Sequence, residues 1–227
     1  MDLQIKDVAE LLNVTENAIK DWVTAGQIPY YRIDSDFRFS RIEIEDWVIR
    51  SQKNDFHLRN VDDEAKGRGN RQFSLYRAIH KGGVLHSIPG KSKEEVIRNA
   101  MAIIAKDLAL DKDILTDLLL DRENLQPTAI GSGIGLPHTR EAFIKNSFDS
   151  VYVVFPERAI SDYGALDGKP VHSLFFLFAA SDKNHLHLLA KIAHFCAQQH
   201  LKQLIEKKPN KISLLEEIKQ WESHINT

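Results

Sequence analysis

Apolar positions in the first fifty residues change period abruptly. Val8, Leu11 and Leu12 share one helical face, and Ile19, Trp22 and Val23 share a second. Between them Asn13-Val14-Thr15 breaks the pattern, and the Thr15 hydroxyl is placed to cap the new helix. Two short helices joined by a tight turn follow, the second ended by Gly26. Ile28 to Ile33 and Phe37 to Phe39 flank Asp34-Ser35-Asp36 and predict a small hairpin, after which a helix over Ile42 to Ile49 closes the unit.

From Ser51 to about Arg71 the apolar periodicity lapses while charged and polar residues accumulate, which is linker composition. The chain thus divides into a head at 1–52, a linker at 53–71 and a larger domain at 72–227. Leu75, Ala78 and Ile79 restore helical spacing until Gly82-Gly83 stops it. Ser92 and Glu95 form a capping box before a helix carrying Val96, Ile97, Ala100, Ile103 and Ile104, and Ile114 to Leu120 gives the next helical face. Val151 to Phe155 and Val171 to Ala180 are the strongest strand candidates, with a turn at Asp167-Gly168 before the second. A long helix from about His185 to Ile205 and a last one from Leu214 to Trp221, behind a Ser213/Glu216 cap, complete an α/β reading.

Composition narrows the function classes. A chain of 227 residues accommodates one or two cores, and a formal charge of −2 leaves any DNA contact to a local patch. The single cysteine, Cys196, excludes an internal disulfide framework and multi-cysteine metal clusters; on an apolar helix it reads as core. Met1 to Glu10 does not resemble a signal peptide, and the longest apolar run, Leu174 to Ala180, falls far short of the ~20 residues of a membrane span. A cytoplasmic protein without membrane insertion is expected.

The most informative stretch is Gly131-Ser132-Gly133-Ile134-Gly135-Leu136-Pro137-His138-Thr139-Arg140. Three glycines spaced by one residue oppose a helix and permit close backbone approach to an anion, and Pro137 stiffens the chain just before an imidazole. Neutral imidazole carries a nucleophilic nitrogen at cytoplasmic pH. A lone histidine among ten is ordinarily structural or solvated; it is this loop that singles out His138. The glycines match neither a dinucleotide fingerprint nor a phosphate loop, since no Gly-Lys-Ser/Thr follows, so no nucleotide cofactor is expected. Nor is a metal: His185 with His187, and His194 with Cys196, stand two apart on a helix and point about 200° apart.

With Arg122-Glu123-Asn124, Pro127-Thr128, Ala165 to Val171 and His185 to Ala190 in order around it, this segment resembles the enzyme IIA domains of the fructose/mannitol class of the sugar phosphotransferase system and their nitrogen-regulatory relatives. The resemblance runs from about Phe73 to the C-terminus and implies a mixed β-sheet flanked by helices. It implies that His138 accepts a phosphoryl group from a phosphocarrier protein, with His185 beside it and Arg122 binding phosphate. Charge-assisted donors and the N-terminus of a helix suit those roles. Arg140 and Thr139 are further phosphate-binding candidates; the family usually has glycine where Thr139 stands, and its side chain could crowd the donor or add a hydrogen bond.

The head, Met1 to about Gln52, resembles the small winged helix-turn-helix of the MerR/excisionase group. That implies a second helix in the major groove offering Thr15, Asn17 and Lys20, with Arg32 and Arg38 on phosphates. Yet the head carries six basic against ten acidic residues, a net −4, and phosphate contacts dominate DNA affinity. A head that mediates protein contact or homodimerisation is the alternative. The leading expectation is a regulator coupling phosphorylation to DNA binding; the competing one is a transport subunit passing phosphoryl to a IIB domain.

Overall fold

In the computed structural model, residues 2–12, 14–50, 74–139 and 148–225 are described. The head opens on β1 (Asp2–Leu3) and packs α1 (Ile5–Leu12) against α2 (Glu16–Thr24). The Thr15 hydroxyl accepts from Ala18 N, as the cap requires. The hairpin β2 (Tyr31–Ile33) and β3 (Asp36–Ser40) turns at Asp34, whose φ of 55° is a left-handed value that aspartate tolerates. β1 adds to β3 as a short third strand the periodicity did not reveal, and α3 (Arg41–Arg50) follows without a gap.

The larger domain begins at α4 (Leu75–Lys81) and β4 (Gly83–Ile88). Gly82 and Gly83 do more than stop a helix: a Cβ on Gly82 would lie 2.1 Å from the Val151 carbonyl oxygen, so only glycine lets the chain pass this close to its neighbour. Next come α5 (Lys93–Asp107) and α6 (Lys112–Leu125), then the short strands β5 (Ala129–Gly131) and β6 (Ile134–Gly135). The long strands β7 (Ser150–Pro156) and β8 (Ser173–Phe178) precede α7 (Asp182–Ala197), α8 (Gln199–Glu206) and α9 (Lys211–Ile225).

The strands form one mixed sheet in the order β4-β7-β8-β6-β5, with β4–β7 and β6–β8 parallel and the other pairs antiparallel. Its two faces explain the unbroken apolar runs. Val151, Val153, Phe155, Phe175 and Leu177 enter one core with α4 and α7, while Tyr152, Val154, Leu174, Phe176 and Phe178 enter another with α5 and α6. The first of these cores continues into the head, joining Val8, Leu12, Ile44 and Ile49 to Leu186, Leu189 and Ile192 of α7.

Two helix boundaries differ from the sequence expectation. The single helix to Ile205 is two, because Gln198 adopts an extended backbone (φ −68°, ψ 128°) that no residue type there announces. The last helix starts at Lys211, and its cap is Asn210, whose side-chain oxygen accepts from Ser213 N.

Candidate functional site

The glycine-rich segment proves to be a hairpin turn. Gly131, Ser132 and Gly133 all have positive φ, between 54° and 87°, and turn β5 into β6. The Asp167 carboxylate accepts from Ser132 N at 2.7 Å, which also holds that carboxyl below its usual range. Gly133 has a second reason to lack a side chain: a Cβ would come within 2.3 Å of the His172 ring. These glycines therefore make a tight turn beside Asp167 and His172; the expected anion cradle is not what they build.

His138 lies beyond that turn, where the chain leaving β6 continues beside β8. Leu177 N donates to the Pro137 carbonyl, and His138 pairs with Leu177 in a parallel bridge. The ring is wholly buried. Its Nδ1 stands 2.7 Å from the Leu136 carbonyl oxygen, which can only accept, so Nδ1 carries the proton and Nε2 the lone pair. Behind Leu136 the support extends to α6. Leu136 N donates to the Thr128 carbonyl, while Thr128 N (3.1 Å), the Thr128 hydroxyl and the Tyr163 hydroxyl (2.8 Å) all donate to the buried Glu123 carboxylate. Burial, and then the neighbouring Glu123 charge, raise Tyr163 well above the ordinary phenol value, so it stays a donor.

His185 comes from the first turn of α7. Ser181 caps that helix by accepting from Asn184 N, and Asp149 accepts from both Ala180 N and the Asn184 amide. The two imidazoles lie with centroids 5.3 Å apart. Burial, with the neighbouring His138 adding to it, pushes His185 down to about 3, so it is neutral at pH 7. Nε2 of His138 and both ring nitrogens of His185 have no hydrogen-bond partner among the described residues.

Over these rings lies a residue from the head. Glu45 of α3, 1% exposed, sets one carboxylate oxygen 3.7 Å from Nε2 of His138 and the other 3.9 Å from Nε2 of His185. Arg41, one turn earlier, donates to Glu45 at 3.1 Å and to Asp182 of α7 at 2.9 Å. Burial alone would raise the Glu45 carboxyl; the His138 ring when it carries a second proton on Nε2, and then His185 and Arg41, outweigh it and hold the group below its usual value. Burial works likewise against the Arg41 charge, and Asp182 with Glu45 more than offsets it.

Arg122, also 1% exposed, donates to the Gln126 carbonyl at 3.0 Å and lies 3.8 Å from Asp46 of α3. So α3 brings one carboxylate to the imidazoles and the next to the guanidinium. Thr139 is buried beside His138, and Arg140 lies outside the described residues. Of the residues named from the sequence, His138 and His185 lie side by side and Arg122 lies against Asp46 of the head helix that also carries Glu45; Glu45, Asp46, Arg41 and Asp182 were not foreseen. A signal existed: Glu45 sits among Ile44, Val48 and Ile49 on the buried side of its helix.

Glu45, His138 and His185 also present ligand atoms within 4.8 Å of one another, a donor set that suits zinc. Spacing along one helix bears only on pairs within that helix, whereas this set is drawn from α3, the segment after β6 and α7. Tetrahedral bonds of about 2.0–2.2 Å put ligand atoms roughly 3.4 Å apart, so the three groups would have to close further.

Of the DNA-contact candidates, Thr15, Asn17, Lys20 and Arg32 are exposed, but the Thr15 hydroxyl is occupied as the cap of α2. Arg38 is half-buried and paired with Asp36 at 3.2 Å. Among the described residues no helix is long and apolar enough to cross a membrane.

Fold and site together define a mixed-sheet α/β domain centred on two buried histidines and carrying a helix-turn-helix head. The chain belongs to the phosphoenolpyruvate-dependent sugar phosphotransferase system EIIA 2 family, whose model matches residues 78–221, and residues 3–51 match a helix-turn-helix domain. A nitrogen regulatory protein of Pseudomonas aeruginosa is 34% identical over 122 residues, spanning 52% of this chain and 77% of its own length. A fructose-specific EIIABC component of Bacillus subtilis is 29% identical over 145 residues, 59% of this chain but only 21% of that protein. The crystal structure of the nitrogen regulatory protein IIA-Ntr from Neisseria meningitidis superposes with a TM-score of 0.53 at 23% identity, covering 60% of this chain and 91% of its own, and shares the fold.

Proposed function

We propose that this chain is a cytoplasmic regulator that accepts a phosphoryl group on Nε2 of His138 from a phosphocarrier protein, and that its helix-turn-helix head, reading DNA through α2, is the output. The observation that carries this reading is the fixed tautomer. The Leu136 carbonyl holds the proton on Nδ1 and leaves the Nε2 lone pair unused, beside a neutral His185. In the transfer, that lone pair forms a P–N bond as the bond from phosphorus to the carrier's nitrogen breaks, its electron pair returning to the carrier. Nδ1–H stays on the Leu136 oxygen and steadies the positive ring. Positioning and charge stabilisation are all the protein has to supply; the His185 ring lies beside His138, and Arg122 is the charged donor assigned to the phosphoryl oxygens.

Incubation of the full chain with labelled phosphoenolpyruvate, enzyme I and a phosphocarrier protein tests the acceptor. Acid-labile label is expected on the wild type and none on folded His138→Ala; unaltered labelling of that variant would eliminate the assignment. For the head, a gel shift at low salt should show binding to genomic fragments that weakens with salt and in Lys20→Ala. A second reading, onward transfer to a IIB domain with the head as a protein-interaction module, draws on the similarity to the fructose-specific EIIABC component. Rapid discharge onto a IIB domain would favour it.

A further inference from the structure

We propose that α3 of the head is a built-in occupant of the phosphoryl site, Glu45 standing where the phosphoryl group on His138 has to go, so that head docking and phosphorylation exclude one another. This rests on His138 as the acceptor. The gap between Nε2 and the Glu45 carboxylate, 3.7 Å, is already a single non-bonded contact, for which about 3.5–4.0 Å is the natural spacing. A phosphorus atom with three oxygens cannot enter it. A donor protein is excluded even earlier, because His138 and His185 are wholly buried and the residue facing both imidazoles is Glu45.

Charge complementarity identifies α3 as the fitting occupant. Glu45 faces the imidazoles and Asp46 faces Arg122, the three side chains expected to meet phosphoryl oxygens. Arg41 clamps the arrangement by bridging Glu45 to Asp182 across the boundary between head and body. The same acidity that argued against wholesale DNA binding by the head thus has a place to act. Once His138 carries a phosphoryl group, of charge near −2, Glu45 and Asp46 meet a like charge in a water-poor site and the helix is expelled. By linkage, the factor by which docking disfavours phosphorylation is the factor by which phosphorylation weakens docking. Thr15, Asn17, Lys20 and Arg32 are exposed with the head docked, so release changes how the reading surface is held and does not unmask it.

The test measures the initial rate of His138 phosphorylation by phosphoenolpyruvate, enzyme I and carrier in the full chain. Wild type is compared with Glu45→Ala and with Asp182→Asn, which loosens the clamp from the body side and leaves the acceptor and every residue of α3 unsubstituted. Both variants should be phosphorylated at least about tenfold faster than wild type, a factor that corresponds to moving the docked state by 1.4 kcal/mol. Hydrogen exchange should show the amides of α3 and of the first turns of α7 losing protection when wild type is phosphorylated, and His138→Ala unchanged in the same mixture. Label on His138 at equal rates in all three proteins, with α3 still protected in the phosphorylated form, overturns the docking inference and leaves the acceptor standing. Failure of both folded variants to take label at all overturns the acceptor, and this inference with it. Label on the variants but not on wild type supports both.

Discussion

Leu136 and His138 are joined by a hydrogen bond of 2.7 Å from ring Nδ1 to the carbonyl oxygen two residues earlier, and that bond decides which nitrogen is the nucleophile. Nitrogen-15 NMR of the histidine rings should show that the neutral form of His138 keeps its proton on Nδ1 and is bare on Nε2. The reverse tautomer would remove the basis for attack from Nε2.

The support behind that bond is a buried carboxylate. Replacing Glu123 with alanine strands the Thr128 amide, the Thr128 hydroxyl and the Tyr163 hydroxyl, each of which donates to it. Buried donors left unsatisfied cost about 1–3 kcal/mol each, less whatever water repairs, so Glu123→Ala should lose at least about 3 kcal/mol by urea denaturation. Because Thr128 also positions Leu136, the surviving folded protein should be phosphorylated more slowly. A loss under about 1 kcal/mol would show that the cluster is not a support.

Gly133 and Gly168 both have positive φ, 75° and 66°, but only Gly133 is crowded. Alanine at Gly133 meets the His172 ring and the Pro170 carbonyl, whereas alanine at Gly168 meets open space. Thermal melts should place Gly133→Ala well below Gly168→Ala, which loses only the ~1–2 kcal/mol of left-handed backbone strain. Equal losses would mean that the turn has room to adjust.

Stability should depend on pH through two buried histidines. Burial pushes His185 to about 3 and His187 to about 4, against about 6.5 in the unfolded chain. The folded state therefore binds fewer protons than the unfolded one. This contribution is complete above pH 6.5 and is lost as pH falls from there toward 4 and then 3. Each group adds a slope of up to about 1.4 kcal/mol per pH unit in that window. Denaturation midpoints from pH 7.5 to 4.5 should fall accordingly, and less steeply in His187→Gln; a flat profile would contradict the burial of both rings.

The layered architecture was legible because its signals are local. Thr15, Ser92 and the apolar faces of α5 and α7 announce helices, and the unbroken runs in β7 and β8 announce strands buried on two sides. Strands as short as β5 and β6 carry too few residues for a period, and β4 was hidden behind Gly82, which both caps α4 and lets the chain pass close to Val151. Within the site, His138, His185 and Arg122 could be named from their motifs. Glu45 could not be assigned its place, since the contact that defines it spans 93 positions of sequence and depends on how head and body meet. An acid on the apolar side of a helix, as Glu45 is beside Ile44 and Val48, was the one trace of it in the chain.

The central claim, that Nε2 of His138 takes a phosphoryl group, is tested most directly by phosphorus-31 NMR of the full chain after reaction with phosphoenolpyruvate, enzyme I and carrier. The account predicts a single phosphoramidate resonance with the shift of Nε2-linked phosphohistidine, absent from His138→Ala. A resonance from Nδ1-linked phosphohistidine, or one that survives that substitution, would contradict it.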